Sequence, residues 1–350
     1  MTEVLCDALF NGLSNSSILI LVALGLAIMF GVMGVINMAH GEMLMLGAYT
    51  AYVCTAPTAL PTMLQNLGLN LDNLIGKFAD DPKIHFFRDH LHARTGYGLN
   101  LYWAIPISFV VVGLVGYLLE VCLIRFLYGR PLDTLLATWG VGLIFQQGTR
   151  LLFGADLKPL DLPESLRHSW TVPWHGQELT FPYYRWFILG FTALCLLIVY
   201  VWFFKTPSGL KIRAVTQNRP MAAAMGISTR RVDSLTFAFG AGLAGVAGCI
   251  VGHLYVVNPD MGMSYIVDAF MVVILGGMGH LSGTVLAGAI IGTTTSLLAK
   301  LYGNAFAEVF PRAISEVNQQ MARVTVLLVV IGVIMVRPTG LFTTRGRVYD

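Results

Sequence analysis

The stretch ILILVALGLAIMFGVMGVINMAHGEMLMLGAY, Ile18–Tyr49, decides what kind of molecule this chain makes. Its first part, Ile18–Ile36, contains no Lys, Arg, Asp or Glu. It is about as long as the roughly 20 apolar residues a helix needs to cross a bilayer core of about 30 Å. The second part, Gly31–Tyr49, stays apolar but is interrupted by Asn37, His40 and Glu42 and carries glycines at 31, 34, 41 and 47. Polar, broken backbone at membrane depth is tolerated only where it faces protein or water. The stretch therefore reads as a membrane span running into a broken one.

The same two kinds of segment recur along the chain. Leu101–Leu119, Trp186–Phe204, Ser234–Val257 and Leu281–Ala299 are further clean spans. Gly41–Ala56, Thr134–Phe153 (with Gln146, Gln147 and Arg150) and Ser264–Gly279 (with Asp268) are interrupted. Val324–Val336 is only 13 residues long, so its helix is expected to extend back through Gln319, Gln320 and Arg323. Five clean and four broken segments predict an all-α polytopic membrane protein with about nine membrane segments, some short. Composition agrees: 56% of the 350 residues are hydrophobic and 12% charged, with mean hydropathy +0.70. Soluble domains carry about 25% charged residues, so this chain lacks the polar surface to coat a globule of its size.

A net charge of +3, with basic residues dispersed, excludes a nucleic-acid footprint. The five cysteines lie far apart, with no CxxC or Cys/His spacing, and read as packing residues. No cleavable signal is expected at Met1–Asn15, which has no basic n-region. Lys205–Arg231 holds six basic residues and no acid, which marks it as cytoplasmic. Counting spans from it puts the C-terminus in the cytoplasm and the N-terminus in the periplasm. A single membrane domain over 1–350 then carries a periplasmic insert at 58–100, a periplasmic loop at 156–184 and the cytoplasmic loop 205–231.

Three features could carry function. Asn37, His40 and Glu42 sit at the break in Gly31–Tyr49. His40 and Glu42 are two residues apart and do not share a helix face, so a metal site is disfavoured. They either satisfy the interrupted backbone or line a substrate path. The second feature is SYIVDAFMVVILGGMGHLSG, Ser264–Gly283, where Asp268 in an apolar run must be paired or wet. Its Gly-x-Met-Gly rhythm echoes Gly31–Gly34 and hints at an internal repeat. Gln146, Gln147 and Asp268 are expected to face a translocation route, with a buried structural network as the competing reading. The third is the cytoplasmic stretch SGLKIRAVTQNRPMAAAMGIS, Ser208–Ser228. Asn218 can cap a short helix, Pro220 fits its first turn, and Gly226 ends it. Such a helix in the longest cytoplasmic loop suits a docking element. No GxxxxGK[ST] occurs, because Gly76-Lys77 lacks both the upstream glycine and a following Ser or Thr. No nucleophile elbow or HExxH occurs either. The chain is read as neither an ATP motor nor an enzyme, with no catalytic, metal or cofactor residues of its own.

At these motifs the chain resembles the permease family of branched-chain amino-acid (LivH/LivM-like) ABC importers, from about Leu13 to Phe342. Within it, RFLYGRPLDTLLATWGVGLIFQQ (Arg125–Gln147) and NPDMGMSYIVDAFMVVILGG (Asn258–Gly277) are similar to the urea-type permease. The resemblance implies a bacterial inner-membrane subunit in a pseudo-symmetric pair with a second, homologous permease. It also implies two cytoplasmic ATPase subunits, which would bind ATP and Mg, and a periplasmic binding protein that delivers substrate. Arg213–Gly226 would be the coupling helix, with Arg213, Asn218, Arg219, Pro220, Ala222, Ala223 and Gly226 in it. The expected cargo is urea or a short amide, for which Asn37, Gln146, Gln147 and Asp268 offer suitable donors and acceptors. The alternative cargo is a branched-chain amino acid, which also needs partners for a zwitterion. A passive urea or water channel would explain the spans but not the helix-bearing basic loop. An intramembrane enzyme lacks any paired catalytic set.

Overall fold

The computed structural model describes residues 2–56, 59, 63, 66, 101–174, 177–306, 314–337 and 340–342. The 58–100 insert lies almost wholly outside the described residues. So do the tail beyond 342 and the side chain of Gln319. The described residues form an all-α polytopic protein. Its helices are α1 (Thr2–Met33), α2 (His40–Thr55), α3 (Leu101–Cys122), α4 (Pro131–Phe153), α5 (Glu164–Arg167) and α6 (Tyr183–Lys205). They continue as α7 (Pro207–Gln217), α8 (Arg219–Ala224), α9 (Thr229–Leu254), α10 (Met261–Gly276), α11 (Leu281–Phe306) and α12 (Ile314–Val336). Five of them, α1, α3, α6, α9 and α11, contain stretches long and apolar enough to cross a membrane. These are the five clean spans of the sequence. Helix α12 does extend back past Arg323, as its short apolar run required.

The chain divides into two compact units, each assembled from discontinuous stretches. No linker composition marks the division, because it falls inside helices: α9 passes from one unit to the other at Gly240 and α10 at Ile266.

The first unit comprises 1–35, 164–240 and 267–350. Its centre is the contact of α1 with α11. Gly288 and Gly292, one turn apart on α11, face Ile20 and Ser16 of α1, and a Cβ on Gly292 would lie 2.5 Å from the Ser16 Cα. Apolar side chains gain little by leaving lipid, so helices in a bilayer associate where small residues let backbones approach. Hydrogen bonds lock the register: Ser16 Oγ donates to the Ala289 carbonyl at 3.1 Å and Asn15 Nδ2 to Ser296 Oγ at 3.1 Å. The central window of α1 is 94% buried, whereas that of α6 is 22% buried. Thus α1 is an interior helix, and α6 offers most of its surface to lipid or a partner. The loop at 156–184 contains a hairpin, β1 (Ser169–Trp174) against β2 (Gln177–Pro182), antiparallel with Thr171 opposite Thr180. Phe181 of β2 meets Phe10 of α1 edge-on at 4.8 Å.

The second unit comprises 36–163 and 241–266. Here α9 brings its glycines against α2 and α3: a Cβ on Gly245 would stand 2.7 Å from Val112 Cβ, and one on Gly248 would collide with the Leu44 carbonyl. Ser108 Oγ donates to the Gly47 carbonyl at 3.2 Å. Lys158 and Val257 exchange backbone hydrogen bonds at 2.9 and 3.0 Å, tying the chain after α4 to the turn before α10.

Candidate functional site

The break foreseen at Asn37 is built from a few backbone and side-chain bonds. Helix α1 stops at Met33, and Gly34 takes φ +65°, a left-handed conformation that costs glycine least. Asn37 Oδ1 then accepts from the Ala39 N–H at 3.1 Å, and the His40 N–H donates to the Asn37 carbonyl at 3.4 Å. This turn starts α2 at His40. Asn37 and His40 are fully buried, and Glu42 in the first turn is 5% exposed. A carboxylate there complements the positive end of the helix dipole.

The start of α10 repeats this construction. Asn258 Oδ1 accepts from the Asp260 N–H at 2.9 Å, and the Met261 N–H donates to the Asn258 carbonyl at 3.3 Å. Each asparagine is followed four residues later by a glycine, Gly41 and Gly262, and these two glycines meet. A Cβ on Gly262 would lie 2.7 Å from the Gly41 carbonyl oxygen, and one on Gly41 would collide with the Gly262 oxygen. Asn37–Gly41 and Asn258–Gly262 thus share one local turn, separate from the Gly-x-Met-Gly rhythm noted in the sequence. The Gly-x-Met-Gly segments make a contact of their own in the first unit, where Gly31 packs on Gly279.

Helix α4 completes the site. Met38 N–H donates to Thr138 Oγ1 at 3.1 Å, and Tyr49 stacks on Phe153 at 4.8 Å, so α4 runs beside α2. Gln146 and Arg150, one turn apart on α4, share a face. Both reach Asp260 Oδ1, Gln146 Nε2 at 2.6 Å and Arg150 at 2.5 Å. Glu42 lies under this group. A Cβ on Gly262 would come within 2.6 Å of Glu42 Oε2, and one on Gly142 would stand 3.4 Å from its Cγ. Glu42 Oε2 is buried and has no hydrogen-bond partner among the described residues. Asp260 repels its charge and Arg150 attracts it.

Of the residues singled out from sequence, Asn37, His40, Glu42 and Gln146 thus come together within the second unit. Gln147, on the same helix, is exposed. Asp268 belongs to the first unit, buried, with its Oδ2 3.9 Å from Arg323 Nε of α12. Sequence reasoning missed Arg150 and Asp260 as site residues. The i, i+4 spacing of Gln146 and Arg150, and the Asn-Pro-Asp turn before α10, were the signals available. Among the described residues no group of three or more His, Cys, Asp or Glu could hold a metal.

The basic loop forms two helices where the sequence suggested one. Asn218 ends α7 and caps α8, its Oδ1 accepting from the Met221 N–H at 3.0 Å. Pro220 lies in the first turn, and Gly226 closes the helix at φ +80°. Met221, Ala223 and Met225 are exposed, whereas Ala222 packs inward. The two arginines are held differently: Arg219 pairs with the buried Asp233, while the Arg213 guanidinium lies 5.5 Å over the Phe204 ring. Arg213 is half-buried. In the same unit a cavity of about 570 Å³, lined mainly by apolar side chains including Tyr200, Phe204 and Leu286, contains none of the pathway candidates.

A family profile described as the branched-chain amino acid transport system permease component matches residues 8–336. Two curated relatives carry related names. The chain is 26% identical over 306 residues to the high-affinity branched-chain amino acid transport system permease protein BraD of Pseudomonas aeruginosa, covering 86% of this chain and 88% of that protein. It is 26% identical over 339 residues to the corresponding LivH of Escherichia coli K12, covering 95% and 94%. Among solved structures, PsaBC from Streptococcus pneumoniae in complex with Fab aligns over 95% of both chains at 14% identity. Its TM-score of 0.38 is too low to carry an argument.

Proposed function

This chain belongs to the family of permease components of branched-chain amino acid transport systems, and from that premise we propose that it is the membrane-spanning subunit of an ATP-driven importer for branched-chain amino acids. The relatives matched over most of their length are permease proteins named for that cargo, and neither name mentions urea. The expectation of urea or a short amide therefore gives way to its alternative. The observation that carries the reading is the charged cluster at the paired starts of α2 and α10. Charges inside a polytopic membrane protein are costly and commonly mark a solute path. Asn37, His40, Glu42 and Gln146 supply polar groups there, and Gln147 and Asp268 remain further candidates for the route.

Such a permease works with a second permease subunit, cytoplasmic ATPases and an external binding protein. The exposed apolar side chains of Met221 and Ala223 on α8 and of Met225 just after it support docking of an ATPase, with 205–231 on the cytoplasmic face. The same face argues against a channel acting alone. Ala223→Asp would bury an unpartnered carboxylate at that contact. It should abolish ATPase pull-down and uptake while membrane abundance stays normal; wild-type pull-down and uptake by this variant would remove the docking assignment.

The test of the function is transport by the complete importer reconstituted in proteoliposomes with its binding protein. Leucine, isoleucine and valine should stimulate ATP hydrolysis and accumulate, and urea and acetamide should do neither. Stimulation by urea without stimulation by the aliphatic amino acids would reverse the assignment.

A further inference from the structure

We propose that the paired first turns of α2 and α10, with the end of α4, form a zwitterion subsite: Arg150 takes the α-carboxylate of an aliphatic amino acid, and Asp260 with Glu42 takes its α-ammonium. The proposal rests on the importer reading and goes further, by assigning the two charged ends of the cargo to named side chains of the membrane subunit.

Three observations lead to it. Glu42 is 95% buried by its 5% exposure, yet Oε2 meets no donor among the described residues. A buried carboxylate in that condition is unfavourable unless it holds a proton or something cationic visits it. Next, Arg150 and Asp260 form an ion pair at 2.5 Å whose side chains are 36% and 63% exposed on this chain, beside the buried Glu42. Finally, Gly262 and Gly142 bring no Cβ against the Glu42 side chain, which lets its carboxylate lie along the α10 backbone.

The charges of the cluster match the two ends of a zwitterion. The cluster holds one cation and two carboxylates. A zwitterion can enter by exchange: its carboxylate replaces Asp260 on the Arg150 fork, and its ammonium replaces Arg150 on Asp260 and reaches toward Glu42. No charge is left without a partner, and Glu42 gains one. A neutral amide would part Arg150 from Asp260 and return no charge to either. A carboxylate without an amine would leave both acids uncompensated, and an amine without a carboxylate could meet Glu42 but would leave Arg150 on Asp260 and gain nothing from its fork. Arginine's planar fork suits the two oxygens of a carboxylate.

The experiment is equilibrium binding of radiolabelled leucine to the detergent-purified complex of permeases and ATPases, prepared without the binding protein so that its selectivity does not intervene. Unlabelled leucine should displace the label. 4-Methylpentanoate, leucinamide and urea should each be at least about tenfold weaker. Each analogue lacks at least one charge-assisted hydrogen bond of the kind that sets such ratios. Arg150→Gln and Glu42→Gln should each weaken leucine binding roughly ten- to hundredfold in complexes that still assemble. Should Arg150→Gln fail to assemble, Arg150→Lys, which keeps the charge but loses the fork, and the analogue series on wild-type complex decide the matter. Wild-type affinity in the variants, or displacement by 4-methylpentanoate or urea as strong as by leucine, would overturn the subsite. So would an absence of leucine binding in a complex whose full importer does accumulate leucine. Failure of the full importer to accumulate leucine at all would instead overturn the importer reading.

Discussion

The starts of α2 and α10 share one backbone and differ in what surrounds it. Both use an asparagine side chain to accept from the N–H two residues on, and both place a glycine four residues after that asparagine. Yet the first turn of α2 buries His40 and Glu42, whereas the turn before α10 leaves Asp260 largely exposed and held by Gln146 and Arg150 of α4. The repeated backbone explains how the first turns of two short helices approach closely at Gly41 and Gly262. The unequal side chains explain how one meeting point offers a buried carboxylate beside an exposed ion pair. Backbone geometry therefore makes the site possible, and the neighbouring helix decides its chemistry.

The largest expected effect comes from breaking the meeting itself. Gly262→Leu places atoms where the Gly41 carbonyl oxygen and the Glu42 carboxylate already stand. Backbone as well as the Glu42 side chain must yield, so the loss should reach the upper end of the roughly 1–3 kcal/mol usual for overpacking. Little folded permease should be recovered from membranes, as measured by monodisperse yield after solubilisation. A well-folded Gly262→Leu protein would show that the contact is not tight.

The two asparagines sharpen the difference between the turns. Asn37→Ala removes a cap inside a fully buried turn, and Asn258→Ala removes the equivalent bond from a half-buried one. Water can replace part of the second bond but not of the first. We expect thermal stability to fall by about 1–2 kcal/mol for Asn37→Ala and by about 0.5–1 kcal/mol for Asn258→Ala. Equal losses would mean that burial does not separate the two turns.

The smallest effect is expected at Gly140 of α4, two residues from the Gly142 that faces Glu42. Nothing lies within 4 Å of a Cβ at Gly140. Gly140→Ala should leave binding unchanged and, because alanine is the better helix former, raise stability by up to about 1 kcal/mol. A marked loss of melting temperature in this variant would show that the α4 face is more crowded than the one at Gly262.

Much of this architecture was legible before any coordinates. Apolar run length located the five clean spans, because a bilayer imposes a minimum helix length on any sequence that crosses it. The polar interruption at Asn37–Glu42 marked a real break, and Asn218, Pro220 and Gly226 bounded a helix with the stop and start residues expected of them. The site was only half legible. Asn37, His40, Glu42 and Gln146 stood out because polar groups are conspicuous in apolar runs. Arg150 and Asp260 lay at segment ends, where a charge is unremarkable, and Asp268 looked equivalent to them although it belongs to the other unit with Arg323.

By itself, the sequence determined the membrane class, the alternation of clean and broken spans, and the local turns, because each depends on neighbours within a few residues. The tertiary structure alone decided that Gly41 meets Gly262, that Arg150 and Gln146 converge on Asp260, and that Glu42 lies beneath them without a donor. Those pairings join segments far apart in the chain. In a bilayer, hydropathy cannot select among apolar faces, since lipid satisfies each of them about equally. Close approach of glycine backbones selects the partners instead, and which charges then share a site becomes visible only after the helices have packed.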